Sequence, residues 1–110
     1  MPTDPQSRPP VLQAAVTAEG VVHLAIGGDL DVTAVAAVAD DLAWLAEIRP
    51  TRLLIDMSGV RYLDCASARL LASLADFLPP GQRPVLSSVQ PAVRRLLQLT
   101  GLAATFEWAD

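Results

Sequence analysis

The sequence has very few of the side chains that carry enzymatic chemistry. Its 110 residues include one histidine, His23, and one cysteine, Cys65. A single cysteine cannot form an intrachain disulfide, and one histidine with one cysteine is too small a ligand set for a closed zinc site. Neither common type of glycine-rich phosphate loop is present, and nothing in the sequence brings His23 beside Cys65 or a serine as a catalytic dyad requires. We therefore expect a protein that is not an enzyme and that has no cofactor and no metal.

Lysine is absent, so the eight basic residues are all arginines, and they are scattered except for Arg94 and Arg95. The net charge is −4. Binding to a nucleic acid backbone needs a clustered basic face, so we do not expect a nucleic acid partner. There is no secretory signal pattern and no apolar run of about 18 residues that could span a bilayer. These absences predict a cytoplasmic protein without membrane insertion.

The first ten residues, MPTDPQSRPP, contain four prolines and no leucine, isoleucine, valine or aromatic residue. Such a segment cannot bury enough apolar surface to offset the entropy of ordering, so we expect residues 1–10 to form a disordered tail. The rest of the chain is 100 residues long, and 52% of the whole sequence is hydrophobic. Residues 11–110 are therefore expected to form one domain with a single core.

Apolar spacing predicts alternating strands and helices after an initial hairpin that turns at Glu19 and Gly20. The predicted elements are strands at Val11–Val16 and Val21–Ile26, a helix at Thr33–Ile48, a strand at Arg52–Met57, a helix at Cys65–Leu78, a strand in RPVLSS, a helix in VQPAVRRLLQLTG and an edge strand in ATFEW. The order β-β-α-β-α-β-α indicates an α/β fold with a mixed four- or five-stranded sheet and helices mainly on one face. Alternation in VVHLAI places His23 on the exposed face.

Several residues are of types that commonly start or end helices. Thr33 and Asp64 are the expected N-caps of the first two helices, and Pro50 is expected to stop the first. Pro91 is expected in the first turn of the third helix and Gly101 at its C-terminal cap.

The junction Asp64-Cys65-Ala66-Ser67 is the sequence feature that most invites a functional interpretation. A helix N-terminus exposes unpaired N–H groups and a partial positive charge, which stabilise an anion such as a thiolate or a phosphate. A purely structural interpretation also fits, because Asp64 could cap the helix while Cys65 fills a small gap and Ser67 makes a local hydrogen bond. The residues alone leave both interpretations open.

Three segments resemble the signature segments of STAS domains. They are GDLDVTA at residues 28–34, LLIDMSGVRYLDCASARLLASLA at residues 53–75 and PAVRRLLQLTGL at residues 91–102. The closest resemblance is to the small, free-standing bacterial anti-sigma factor antagonists. It covers nearly the whole chain after the tail, and the segments follow the order of the family.

The resemblance implies a binding module that docks on an anti-sigma factor of the serine-kinase type and thereby frees a sigma factor for transcription. In that family, phosphorylation of a serine directly after the motif aspartate causes release. The resemblance places the partner-binding surface at the loop after the second strand and at the start of the second helix. The implied binding residues are Asp29, Asp31, Asp64, Cys65, Ala66, Ser67 and Arg69.

This chain departs from the family at the phosphoacceptor, because Cys65 stands where the family has serine. Ser67 is a displaced candidate acceptor, but two residues along a helix a side chain points about 200° away, so we favour plain loss of the site. Two alternative functions remain. One is a STAS subunit of a larger complex, such as a lipid-transport complex or a signalling scaffold, and the other is a cysteine-dependent redox sensor or enzyme. Monomer and weak homodimer are both open.

Overall fold

The structure is a computed structural model that describes residues 11–30, 39–40 and 42–109. Within these residues the backbone forms one mixed five-stranded sheet whose spatial order follows the chain. β1 pairs with β2 in the antiparallel direction, and each later strand is parallel to its neighbour. The strands are β1 (Val11–Val16), β2 (Val21–Leu30), β3 (Arg52–Leu63), β4 (Val85–Ser87) and β5 (Glu107–Trp108). The predicted mixed sheet is therefore confirmed.

The helical segments of the described chain are short, and none is long and apolar enough to cross a membrane. They are α1 (Leu45–Ile48), α2 (Cys65–Ser73) and α3 (Pro91–Leu99), with 3₁₀ turns at Leu74–Phe77 and Ala103–Thr105. The predicted second helix thus changes to a 3₁₀ turn after Ser73. The first part of the predicted first helix, including the expected cap Thr33, lies outside the described residues. Its last turn is α1, which ends at Arg49 in a left-handed conformation with φ 53°, just before Pro50.

The core lies between the helices and one face of the sheet. Alternate residues of the two central strands are buried there, and they pack with helical side chains in one cluster. The buried strand residues are Val22, Leu24, Ile26, Leu53, Ile55 and Met57, and the helical ones include Ala68, Leu71, Val93 and Leu97. The opposite face is an open groove that includes Ala15, Ala25, Leu54 and Asp56. His23 is exposed in this groove, as its alternation predicts.

Turn and cap residues hold the predicted positions. Gly20 turns the β1–β2 hairpin with φ 82°, a conformation that glycine adopts without steric cost. Pro91 is the first residue of α3. At the other end of α3, Gly101 has φ 77°, and its N–H donates to the Gln98 carbonyl. The Leu102 N–H donates to the Leu97 carbonyl at 2.9 Å, which completes a Schellman motif.

The last element of the sheet is tied to α3 by an aromatic contact. The Arg94 guanidinium lies 4.7 Å from the centroid of the Trp108 ring, and the Trp108 indole N–H donates to the Ala103 carbonyl. Arg94 is therefore half-buried against an aromatic ring, whereas its neighbour Arg95 is exposed.

β2 and β3 are both longer than predicted. The sequence interpretation ended them at Ile26 and Met57, but the strands continue to Leu30 and Leu63. The extension contains two register shifts, between Ala25 and Gly27 and between Gly28 and Asp29. Such irregularities let two strands stay paired through residues that do not follow strict alternation.

Candidate functional site

The ends of β2 and β3 bring together two of the segments that the sequence singled out. Asp29 is the register partner of Tyr62, and Leu30 is the partner of Leu63. The next residue, Asp64, donates its backbone N–H to the Leu30 carbonyl at 3.0 Å. The GDL part of the predicted loop is therefore the last part of a strand, and it lies directly beside the residues that lead into α2.

Asp64 caps α2, as the sequence predicts. Its backbone is extended, with φ −95° and ψ 176°, and its Oδ1 accepts a hydrogen bond from the Ser67 N–H at 2.8 Å. Its carbonyl accepts the first helical bond, from the Ala68 N–H at 2.9 Å. A carboxylate in this position satisfies one of the unpaired N–H groups of the helix and interacts favourably with the helix dipole. This cap fixes the direction in which the helix leaves the sheet.

Several residues near this cap are exposed. Cys65 and Ala66 are exposed in the first turn of α2, and Arg69 is exposed one turn later on the same side as Cys65. Asp29 is exposed at the end of β2. Asp31, the other acidic residue of the predicted motif, lies outside the described residues.

Ser67 occupies a different environment from its neighbours. Only 2% of its surface is exposed, and its Oγ has no hydrogen-bond partner among the described residues. It lies on the side of α2 that also carries the buried Leu71. This placement argues against Ser67 both as a displaced phosphoacceptor and as a residue that touches a partner, because neither role is compatible with a hydroxyl buried in the core.

Tyr62 is a surface residue of this site that the sequence interpretation missed. It is 52% exposed, and it lies beside Asp29 across the β2–β3 pair. Tyrosine is among the residues that most often dominate protein–protein binding energy. The sequence does show an aromatic residue two positions before the cap residue Asp64. Because the predicted strand ends at Met57, the sequence interpretation did not place this residue beside Asp29. We name the described surface formed by Asp29, Tyr62, Cys65, Ala66 and Arg69 the cap surface.

The geometry of the described residues does not assemble a catalytic group at the cap surface. His23 pairs with Leu54, whereas Cys65 lies two residues after Leu63, the last residue of the strand that contains Leu54. Nine residues of strand separate these positions, which is about 30 Å at about 3.3 Å per residue. Among the described residues no three His, Cys, Asp or Glu side chains lie close enough together to hold a metal ion. The arrangement is a mixed-charge surface with one exposed aromatic ring and one exposed thiol, which suits protein recognition.

Comparison with known proteins points to one family. The family model of the STAS domain matches residues 13–109. The anti-sigma-F factor antagonist RsfB of Mycobacterium tuberculosis is 30% identical over 87 residues, which cover 79% of this chain and 71% of RsfB.

Solved structures with the same fold include two regulatory proteins. The crystal structure of an anti-sigma factor antagonist from Mycobacterium paratuberculosis superposes with a TM-score of 0.76 at 27% identity, covering 96% of this chain and 88% of that one. The anti-sigma factor antagonist SpoIIAA in its unphosphorylated form superposes with a TM-score of 0.71 at 19% identity, covering 91% of this chain and 89% of that one. The second likeness is one of fold.

Proposed function

Because this chain belongs to the STAS domain family, we propose that it is an anti-sigma factor antagonist, a regulatory protein that acts in transcription by binding an anti-sigma factor. The observation that carries this proposal is the 30% identity with RsfB over most of both chains. The likeness to the Mycobacterium paratuberculosis antagonist supports the same role. The partner we propose is an anti-sigma factor of the serine-kinase type.

We place the binding site at the cap surface together with Asp31. This surface combines an exposed aromatic ring, Tyr62, with exposed charges of both signs at Asp29 and Arg69. Aromatic residues and arginine are enriched where binding energy concentrates, and complementary charge sets orientation and association rate. The backbone beneath this surface is held in place, because Asp64 is hydrogen-bonded both to β2 and to α2.

The test is a binding measurement with charge-reversal variants. The arms are wild type, Asp29→Arg and Asp31→Arg, titrated with the purified anti-sigma factor of the same bacterium by calorimetry. We expect each reversal to weaken binding by at least about 1 kcal/mol and to leave the melting temperature nearly unchanged.

Glu19→Arg is the matched control for this test, since Glu19 is exposed in the hairpin turn at the opposite end of β2. It should bind like the wild type. Equal affinity of all four proteins would remove Asp29 and Asp31 from the site. A wild type that binds no anti-sigma factor and instead co-purifies with a transporter ATPase would replace the antagonist by the subunit of a larger complex.

We further propose that serine phosphorylation does not control this protein. Cys65, which the family resemblance aligns with the phosphoserine, is exposed and has no hydroxyl. The remaining hydroxyl of this turn, that of Ser67, is buried. Incubation with the cognate kinase and ATP should therefore leave the wild type unmodified in mass spectrometry.

The Cys65→Ser variant sharpens this test, because it restores a hydroxyl at an exposed helix N-terminus, where a phosphate is tolerated. We expect the variant to be phosphorylated at the restored hydroxyl and to lose affinity for the partner. A phosphate on Ser67 of the wild type would contradict the proposal. Rapid alkylation of Cys65 at neutral pH, together with a change in partner affinity on oxidation, would instead favour the redox function.

A further inference from the structure

β1 is an edge strand without the usual protection against pairing. Among the strands of the described residues it has one neighbour, β2, and its six residues, VLQAAV, contain no charge and no proline. Its register with β2 is unbroken from Val11 to Val16. Natural edge strands are commonly blocked by charges, prolines or bulges, because their unpaired N–H and C=O groups accept another strand. β1 has none of these devices.

The hairpin fixes which backbone groups of β1 face outwards. The Thr17 N–H donates to the Val21 carbonyl at 2.9 Å, so Thr17 and Val21 form a hydrogen-bonded pair. Pairs alternate along an antiparallel ladder, so Gln13 and Ala15 also bond to β2. The N–H and C=O groups of Leu12, Ala14 and Val16 therefore point away from β2, towards the side of β1 on which the described sheet has no further strand.

These outward groups are complementary to a second copy of themselves. In a two-fold antiparallel pair centred on Ala14, that residue faces Ala14 of the other copy, and Leu12 faces Val16. Every outward N–H then meets an outward C=O, because the three residues are evenly spaced about the centre. Facing residues also lie on the same side of the sheet, as antiparallel pairing requires.

The side chains next to this edge fit the same arrangement. Ala14 is exposed, and Val16 is 48% exposed although it lies on the core side of the sheet, opposite the fully buried Val22. Pairing through the edge places a second strand beside both side chains and covers them. A two-fold axis at Ala14 brings two small uncharged side chains together, so neither bulk nor like charge opposes the contact.

We propose that two copies of this chain associate through β1, with the two-fold axis at Ala14, so that both sheets join into one. The proposed interface is the edge of β1 that faces away from β2, whereas the cap surface lies at the carboxyl ends of β2 and β3. The association is therefore independent of the proposed partner binding, and each dimer carries two cap surfaces.

The first test measures the mass of the full chain against concentration by sedimentation equilibrium. The wild type should show a monomer–dimer equilibrium, and Ala14→Lys should raise its dissociation constant at least about tenfold, because two like charges then face each other at the axis. Ala104→Lys is the control. Ala104 is exposed in the 3₁₀ turn just before β5, which is the strand at the opposite edge of the sheet. A monomer at every concentration, or a dimer that Ala14→Lys does not weaken, overturns the proposal.

The second test measures the register of the two β1 strands by disulfide cross-linking, and it does not depend on a variant that weakens the dimer. In a Cys65→Ser background, Ala14→Cys places two thiols on residues whose Cα atoms are about 5.5 Å apart, within disulfide range. Ala15→Cys, on the next exposed residue, leaves its two Cα atoms about 8 Å apart, beyond that range. Mild oxidation should cross-link the first variant and not the second. Equal cross-linking of both variants, or of neither, would overturn the register.

Discussion

The paired strands β2 and β3 have two halves of different character. In the first half, from Val21 and Arg52 onwards, the register is regular, and alternate residues such as Leu53, Ile55 and Met57 are fully buried. In the second half the register shifts twice, and β3 buries only every third residue, at Val60 and Leu63. The residues between them face solvent, and this half ends at the cap surface.

The difference indicates that one half of the strand pair forms the core and the other half presents side chains at the surface. Regular alternation gives one face to the core and so supports stability. Bulged pairing gives up part of that burial and turns side chains such as Tyr62 to the surface, which is a common use of bulges next to functional sites. The backbones also approach closely in the second half, since a Cβ on Gly59 would lie 3.0 Å from the Gly27 Cα.

The largest expected effect tests the structural role of the regular half. Ile55→Ala removes a fully buried side chain from the centre of the sheet, so it should lower the free energy of unfolding by about 2–5 kcal/mol. Tyr62→Ala, in the irregular half of the same strand, should change it by no more than about 0.5 kcal/mol. Urea denaturation of both variants measures the contrast. Equal losses would show that the two halves contribute alike.

A smaller effect tests the close approach of the backbones. Gly59→Ala places a methyl group against the Gly27 Cα, and backbone atoms cannot move aside as a flexible side chain can. We expect a loss of about 1–3 kcal/mol in unfolding free energy. Ser58→Ala is the control, because Ser58 is exposed and its hydrogen bonds are made by its backbone, whose N–H donates to Asp56 and whose carbonyl accepts from Gln90. An alanine at position 59 that costs nothing would mean that the bulge is not constrained there.

The smallest effect concerns the residue that ends the irregular half. Asp64→Ala removes the side chain that accepts the Ser67 N–H, and it should cost about 1 kcal/mol in thermal or urea unfolding. Asp64→Asn retains a capping oxygen and should stay within a few tenths of the wild type. If both substitutions cost the same, the negative charge rather than the hydrogen bond would be what stabilises the helix.

The order of the elements, the start of α2 and both ends of α3 could be predicted because short-range signals determine them. Apolar spacing marks the strands and helices, Asp64 caps α2, and Pro91 and Gly101 bound α3. The continuation of β2 and β3 could not be predicted in this way. Bulged pairing depends on how two distant segments fit together, and GGDL and SGVRYL have no alternating pattern.

The same limit applies to the site. The family resemblance placed the loop after the second strand and the start of the second helix in one surface, but the pairing of Asp29 with Tyr62 depends on the register of the bulged half. The burial of Ser67 was within reach of the sequence. Ser67, Leu71 and Leu74 are spaced by four and three residues, which is the repeat of one helix face.

The double attachment of Asp64 also has a kinetic meaning. Its own amide is bonded to the Leu30 carbonyl, while the Ser67 amide is bonded to its carboxylate. A backbone amide exchanges its hydrogen with solvent only when its bond opens. The Asp64 amide therefore records the separation of the strand ends, and the Ser67 amide records the fraying of the helix. The exchange rates of these two nearby amides thus report two different local openings at the same surface.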